Sequence, residues 1–223
     1  MSGKQTRKRL DPAERKELIL EGALKLFAER HYTIVTVRDI ARGCGMNVAL
    51  IYHYFDDKDH LVRSTLAHAI GEFLDSYSAR TAEESGDPLG EIGAWLDANI
   101  EMAPTLLRMV KLMADYSVSG DRHDEIGQMI GEFYAREQEV LEKAIRRGIR
   151  RGTFRKVDVK RTARQVSLTL DGIFHASASR ADDRIPQDIA DLADLLRRIL
   201  GVEGAETSIK PPKKPRRKPA AAD

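Results

Sequence analysis

A chain of 223 residues with 42% hydrophobic content is long enough to bury one or two small cores. Its 37 Lys/Arg against 35 Asp/Glu leave a net charge of +2. A single cysteine, Cys44, excludes an intrachain disulfide and a cysteine zinc site.

The charge is unevenly placed. Residues 1–60 carry 11 Lys/Arg against 9 Asp/Glu, residues 61–202 carry 20 against 23, and residues 203–223 carry 6 against 3. Positive charge at the two ends and a mildly acidic middle fit a nucleic-acid-facing end on a body that does not adhere to polyanions everywhere. No apolar run approaches the roughly 18 residues that span a membrane. Residues 2–10 lack the apolar centre of a signal peptide, so a soluble cytoplasmic protein is expected.

Residues 1–10 form a basic arm, with Lys4, Arg7, Lys8 and Arg9 ahead of the first helix. That helix is predicted over 12–30, opened by Pro12, with Ile19, Ala23, Leu26 and Phe27 on one face. Thr36 then suits the N-cap of a helix starting at Val37, whose inner side is Val37, Ile40 and Ala41. Gly45 stands where the chain must turn sharply, because glycine adopts positive φ at little cost. Asn47 suits the cap of a further helix over 48–54, with Leu50, Ile51 and Phe55 facing in and Asn47, Val48, Ala49, Tyr52, His53 and Tyr54 on other faces. Two short helices around a glycine turn, the second with a small, polar and hydroxyl-bearing outer side, have the build of a helix-turn-helix that enters the DNA major groove.

Longer helices are predicted over 58–80, 88–102, 104–118, 122–151, 159–180 and 186–200, with a loop at 82–87 and a break at 152–158. Pro88, Pro104 and Pro186 each open a helix. No segment shows sustained strand-like alternation, so the class is all-α: a three-helix DNA-binding domain over 11–57 and a helical body over 58–202. Residues 203–223 include Lys210-Pro-Pro-Lys-Lys-Pro-Arg-Arg-Lys-Pro219, a basic, proline-rich tail without apolar periodicity, expected to be disordered.

Ala23-Leu-Lys-Leu-Phe27, Tyr32, Thr36-Val-x-Asp-Ile-Ala41, Gly45 and Ile51-Tyr-x-Tyr-Phe-x-x-Lys58-x-x-Leu61 resemble the TetR-type one-component transcriptional regulators. The resemblance covers about the first 60 residues; beyond them it is one of architecture only. It implies that Thr36, Tyr52, Tyr54 and Lys58 bind phosphates, which fix register, and that Asn47, Val48, Ala49 and His53 lie nearest the bases. Two departures stand out. His31 replaces the common glycine at the end of the first helix and is expected to take a mildly strained left-handed conformation. Met46-Asn-Val-Ala49 replaces the more usual Val-Ser-x-Gly, so base preferences do not transfer.

The resemblance further implies a near-palindromic double-stranded operator, a homodimer and an unidentified small-molecule effector, and makes residues 58–202 a helical ligand-binding and dimerisation domain. Small residues at Ala163, Ser167, Gly172, Ala176 and Ala178, with the apolar stripe of the final helix, place the dimer contact on the last two helices. Trp95, Met102, Met109, Met113, Tyr116, Met129, Phe133 and Phe174 form a soft and aromatic set suited to a ligand pocket, although the same spacing also describes plain core. No cofactor, metal-ligand cluster, phosphate-binding glycine loop or Ser/His/Asp set is read from spacing, so no catalysis is expected. A ligand-released repressor is the leading reading. The competing one is a helical small-molecule-binding or interaction module without specific operator binding.

Overall fold

The computed structural model describes residues 11–83, 86–118 and 124–202. Among them the chain is all-helical: α1 (Pro12–Glu29), α2 (Val37–Gly43), α3 (Val48–Tyr54), α4 (Lys58–Glu83), α5 (Pro88–Glu101), α6 (Ala103–Val118), α7 (Asp124–Arg151), α8 (Val159–Arg180) and α9 (Ile185–Leu200). The basic arm at 1–10 and the proline-rich tail at 203–223 lie outside the described residues.

Local chemistry sets most helix ends. Asp11 accepts from the Glu14 N–H at 2.8 Å, and the Glu14 carboxylate accepts from the Asp11 N–H at 2.9 Å, a reciprocal cap reinforced by Pro12 in the first turn. Asp87 caps α5 through the Gly90 N–H at 2.9 Å, and Asp158 caps α8 through the Arg161 N–H at 3.1 Å. Gly201, at φ 73°, closes α9.

Two expectations are corrected. The helix predicted to end at residue 80 continues to Glu83, into the segment expected as loop. Pro104 and Pro186 lie in the first turns of α6 and α9 as expected, each at the second position, where no N–H has an intrahelical partner to lose. His31 is not left-handed: Arg30 leaves α1 in an extended conformation at φ −135°, and among the described residues the one positive φ outside glycine is Ala181, after α8. His31 therefore carries no strain of that kind.

The described residues fall into two compact units. The first comprises residues 11–80 and 102–137. In it α1 packs on α2, α2 on α3 and α1 on α6. Ile19, Ala23 and Phe27 of α1, Ile40 and Ala41 of α2, and Ile51 of α3 are buried, as are Leu61, Val62 and Leu66 of α4. That is why this unit runs past the boundary at 57/58 drawn from the sequence. Helix α6 is tied to the end of α1: the Lys111 ammonium donates to the Ala28 carbonyl, the Tyr32 and Tyr116 rings lie 5.6 Å apart, and His31 Nε2 is 3.9 Å from Asp115.

The second unit comprises residues 81–101 and 138–202. Helix α9 packs against α8 and α5, burying Trp95, Ala163, Phe174, Ile189 and Leu196. Arg147 pairs with Glu91, and the Arg155 N–H donates to the Leu200 carbonyl at 2.9 Å.

Candidate nucleic-acid interface

The α2–turn–α3 segment is built by its caps. Thr36 Oγ1 accepts from the Asp39 N–H at 3.2 Å, and Asp39 Oδ2 accepts from the Thr36 N–H at 3.0 Å and its hydroxyl at 2.5 Å. The Thr36 hydroxyl beside Asp39, with the Thr36 backbone N–H, holds that carboxyl below its ordinary range.

Helix α2 ends in a Schellman arrangement. The Met46 N–H donates to the Ala41 carbonyl at 2.8 Å and the Gly45 N–H to the Arg42 carbonyl at 3.1 Å. Gly45 sits at φ 63°, the left-handed position this motif requires. Asn47 Oδ1 then accepts from the Ala49 N–H at 2.9 Å and starts α3. Ile51 is buried beneath the helix, while Asn47, Ala49, Tyr52 and His53 are exposed and Val48, Leu50 and Tyr54 are half-buried.

The predicted contact residues therefore differ in what they have left to offer. Tyr52 is 52% exposed, and His53 stacks edge-on to Tyr54 at 5.3 Å. Asn47 spends its oxygen on the cap and keeps its amide N–H groups as donors. The Tyr54 hydroxyl accepts from Arg15 Nη1 at 3.4 Å and retains its own proton. Lys58 Nζ donates to the Thr33 carbonyl at 3.0 Å and lies 5.3 Å from the centre of the Tyr32 ring, so it braces the turn between α1 and α2.

Sequence reasoning missed two supports. Asp57 caps α4 by accepting from the His60 N–H at 2.7 Å, which fixes where Lys58 begins the helix; Asp57 followed three residues on by His60 was the available signal. Arg15, 39 residues from Tyr54, left no local signal. Arg38 and Arg42, both exposed on α2, add positive charge beside α3. Burial pushes the Cys44 thiol up, and its Sγ lies 3.7 Å from the Leu18 carbonyl, an arrangement that disfavours the thiolate an oxidant sensor needs.

The soft and aromatic set divides between the two units. Met102, Met109, Met113, Tyr116, Met129 and Phe133 belong to the first, and Trp95 and Phe174 to the second. Trp95, Met109, Met113, Tyr116, Phe133 and Phe174 are buried, and Met102 and Met129 half-buried. On the second unit, α8 and α9 flank a groove of about 390 Å³ lined by Gln165, Val166, Leu168, Leu192, Leu195 and Ile199 among others, with Leu168 and Leu195 at least half exposed. Glu21 of α1 and His68 and Glu72 of α4 lie together as a group with metal-ligand chemistry. Its members come from two helices, so no short motif announces it. No described helix is long and apolar enough to cross a membrane.

Residues 19–65 match the family model described as bacterial regulatory proteins, tetR family. The HTH-type transcriptional regulator BetI of Brucella canis is 28% identical over 127 residues, 57% of this chain and 63% of that protein. The HTH-type transcriptional regulator HbdR of Aromatoleum is 29% identical over 150 residues, 65% of this chain and 62% of that protein. The chain thus spans less than two thirds of the length of these relatives. A TetR-family regulator, PfmR, from Thermus thermophilus superposes with a TM-score of 0.66 at 26% identity, covering 84% of this chain and 99% of that one. A TetR transcription regulator from Haloarcula marismortui gives 0.70 at 20% identity over 85% and 97% of the two chains, a likeness of fold.

Proposed function

Because residues 19–65 match the tetR family model, we propose that this chain is a TetR-type DNA-binding transcriptional regulator, a cytoplasmic repressor released from its operator by a small molecule. The observation that carries this reading is the outer side of α3. A Schellman turn and an Asn47 cap hold a seven-residue helix whose inner side is anchored by Ile51 and whose Asn47, Ala49, Tyr52 and His53 stay exposed. Ala49 lets the backbone approach base edges, and Val48 offers apolar contact to a thymine methyl. Tyr52 and Tyr54 supply hydroxyls for phosphates, with Thr36 and Lys58 at the flanks. Few side chains read bases directly, so DNA shape contributes to selectivity.

In this reading the chain is a homodimer through α8 and α9, and its two heads meet successive major grooves about 34–36 Å apart on a near-palindrome. Release needs a ligand that binds one arrangement of the helices better than another, with a coupling of about 1–3 kcal/mol. Met109, Met113 and Phe133 sit in the same unit as the head, and α6 touches the end of α1 through Lys111 and Tyr116. A ligand that displaced α6 would pull on the turn leading to α2.

The test is a gel shift on the DNA upstream of the protein's own gene, beside a scrambled duplex, at two salt concentrations. Preference for the natural duplex should persist at the higher salt, where contacts that only neutralise phosphates fade. Equal loss on both duplexes would favour the module without specific operator binding. A thermal-shift screen of small molecules tests the effector: no stabilising compound across a broad library would leave a DNA binder without one.

A further inference from the structure

We propose that Glu21, His68 and Glu72 form a binding site for one divalent cation of the zinc class, bridging α1 and α4. One ligand atom from each of the three side chains lies within 4.8 Å of the others. His68 and Glu72 are four residues apart on α4 and therefore share a face, while Glu21 reaches the same point from α1. The decisive atom is His68 Nε2. It is shut off from solvent and has no hydrogen-bond partner. Its nearest carboxylate oxygen, on Glu72, is 3.7 Å away, too far for a hydrogen bond.

That separation is close to the spacing of two ligands around one small cation. Metal–nitrogen and metal–oxygen bonds of about 2.0–2.2 Å in a tetrahedral site put neighbouring donors roughly 3.3 Å apart. Glu21 is exposed on α1, and its ligand oxygen already lies within 4.8 Å of the other two ligand atoms. A cation would use the lone pair that the buried nitrogen otherwise wastes, and two carboxylates would balance its charge. One imidazole with two carboxylates favours zinc, cobalt or nickel over magnesium or calcium, which seek oxygen-only shells. Three protein ligands leave a fourth position for water, so the ion would staple the first helix of the head to α4. A bare ion pair between a protonated His68 and its carboxylates is the rival account, and it predicts no affinity for metal.

The test uses the untagged full-length chain, stripped with a chelator and dialysed against buffered zinc. One zinc per chain should bind at micromolar free metal, unaffected by a hundredfold excess of magnesium. Cobalt should give the visible absorption of a low-coordinate site. His68→Gln, and separately the pair Glu21→Gln with Glu72→Gln, should lower affinity at least tenfold while helical circular dichroism is retained; His175→Gln should change nothing. Zinc should raise the melting temperature of the parent protein by several degrees and that of His68→Gln by none. The proposal fails if no zinc is retained, or if zinc binding and the cobalt spectrum survive both sets of substitutions, which would put the ion on other histidines.

Discussion

Tyr52 and His53 are neighbours on α3 with different things to give a duplex, a hydroxyl suited to a phosphate oxygen and a ring nitrogen suited to a base edge. Tyr52→Phe should weaken binding to every sequence by about tenfold, the loss of one hydrogen bond to a charged group. His53→Ala should act unevenly, by about 1–3 kcal/mol at particular base pairs and little elsewhere. Affinities across a set of single-base operator variants separate the two; parallel losses for both substitutions would dissolve the split between register and reading. Asp39 makes a pH prediction of the same local kind. Its carboxyl is held low in the folded chain by Thr36, so the stabilisation it gives is present above the ordinary carboxylate pKa and is lost as pH falls through the lower, folded value. Melting curves should show Asp39→Asn less stable than the parent near neutrality and the gap closing below about pH 4. The residues legible from sequence here were those whose partners lie within three places, Thr36 with Asp39 and Asn47 with Ala49. Lys58 is bonded to Thr33, 25 residues away, and Tyr54 to Arg15, 39 away, so a linear reading assigned both to phosphate and missed their bracing contacts.

At the level of elements, the end of α7 is the least forgiving join. A Cβ built on Gly148 would fall 2.0 Å from Phe154 Cδ2 and 2.3 Å from Cε2, and Phe154 is buried. A ring held on all sides cannot swing clear as a lysine tip can. Gly148→Ala should therefore destabilise by about 1–3 kcal/mol, the usual penalty for overpacking. Adding Phe154→Ala should make the double substitution less damaging than the sum of the singles, as expected for side chains in direct contact. Denaturant melts of the four proteins measure this, and strict additivity would mean that the ring escapes. Nothing in the sequence flagged Gly148, because its constraint is a contact made after the chain turns at 152–158. The helices themselves were legible nearly throughout, since their apolar periodicity and their Asp, Asn, Thr and Pro start signals are local. Where boundaries differed, as in α4 running on to Glu83, the local breakers were weaker than continued helical hydrogen bonding.

For the whole molecule, the exposed apolar groove on α8 and α9 sets the terms. Leu168 is 55% exposed and Leu195 is 50% exposed, and both line it. Fully burying a leucine stabilises by about 1.5–3 kcal/mol, so even partial cover of two from each protomer is a substantial share of an association energy. Thr169 and Gln165 beside them supply hydrogen-bonding groups for an interface rim. In the proposed dimer, self-association through this face would make the two α3 helices act together, and joining two weak half-site contacts would multiply their effect through effective concentration. Leu168→Glu with Leu195→Glu places carboxylates where a second copy would have to desolvate them, while both positions remain harmless in an isolated chain because they already face water. Sedimentation velocity should then show a monomer that keeps its helical circular dichroism, and operator affinity should fall far more than tenfold as half-site binding replaces joint binding. Arg161→Glu, exposed on α8 and absent from the lining of the groove, should leave the oligomer intact. A double variant that still sediments as a dimer would move the interface elsewhere, and with it the geometry that sets the half-site spacing.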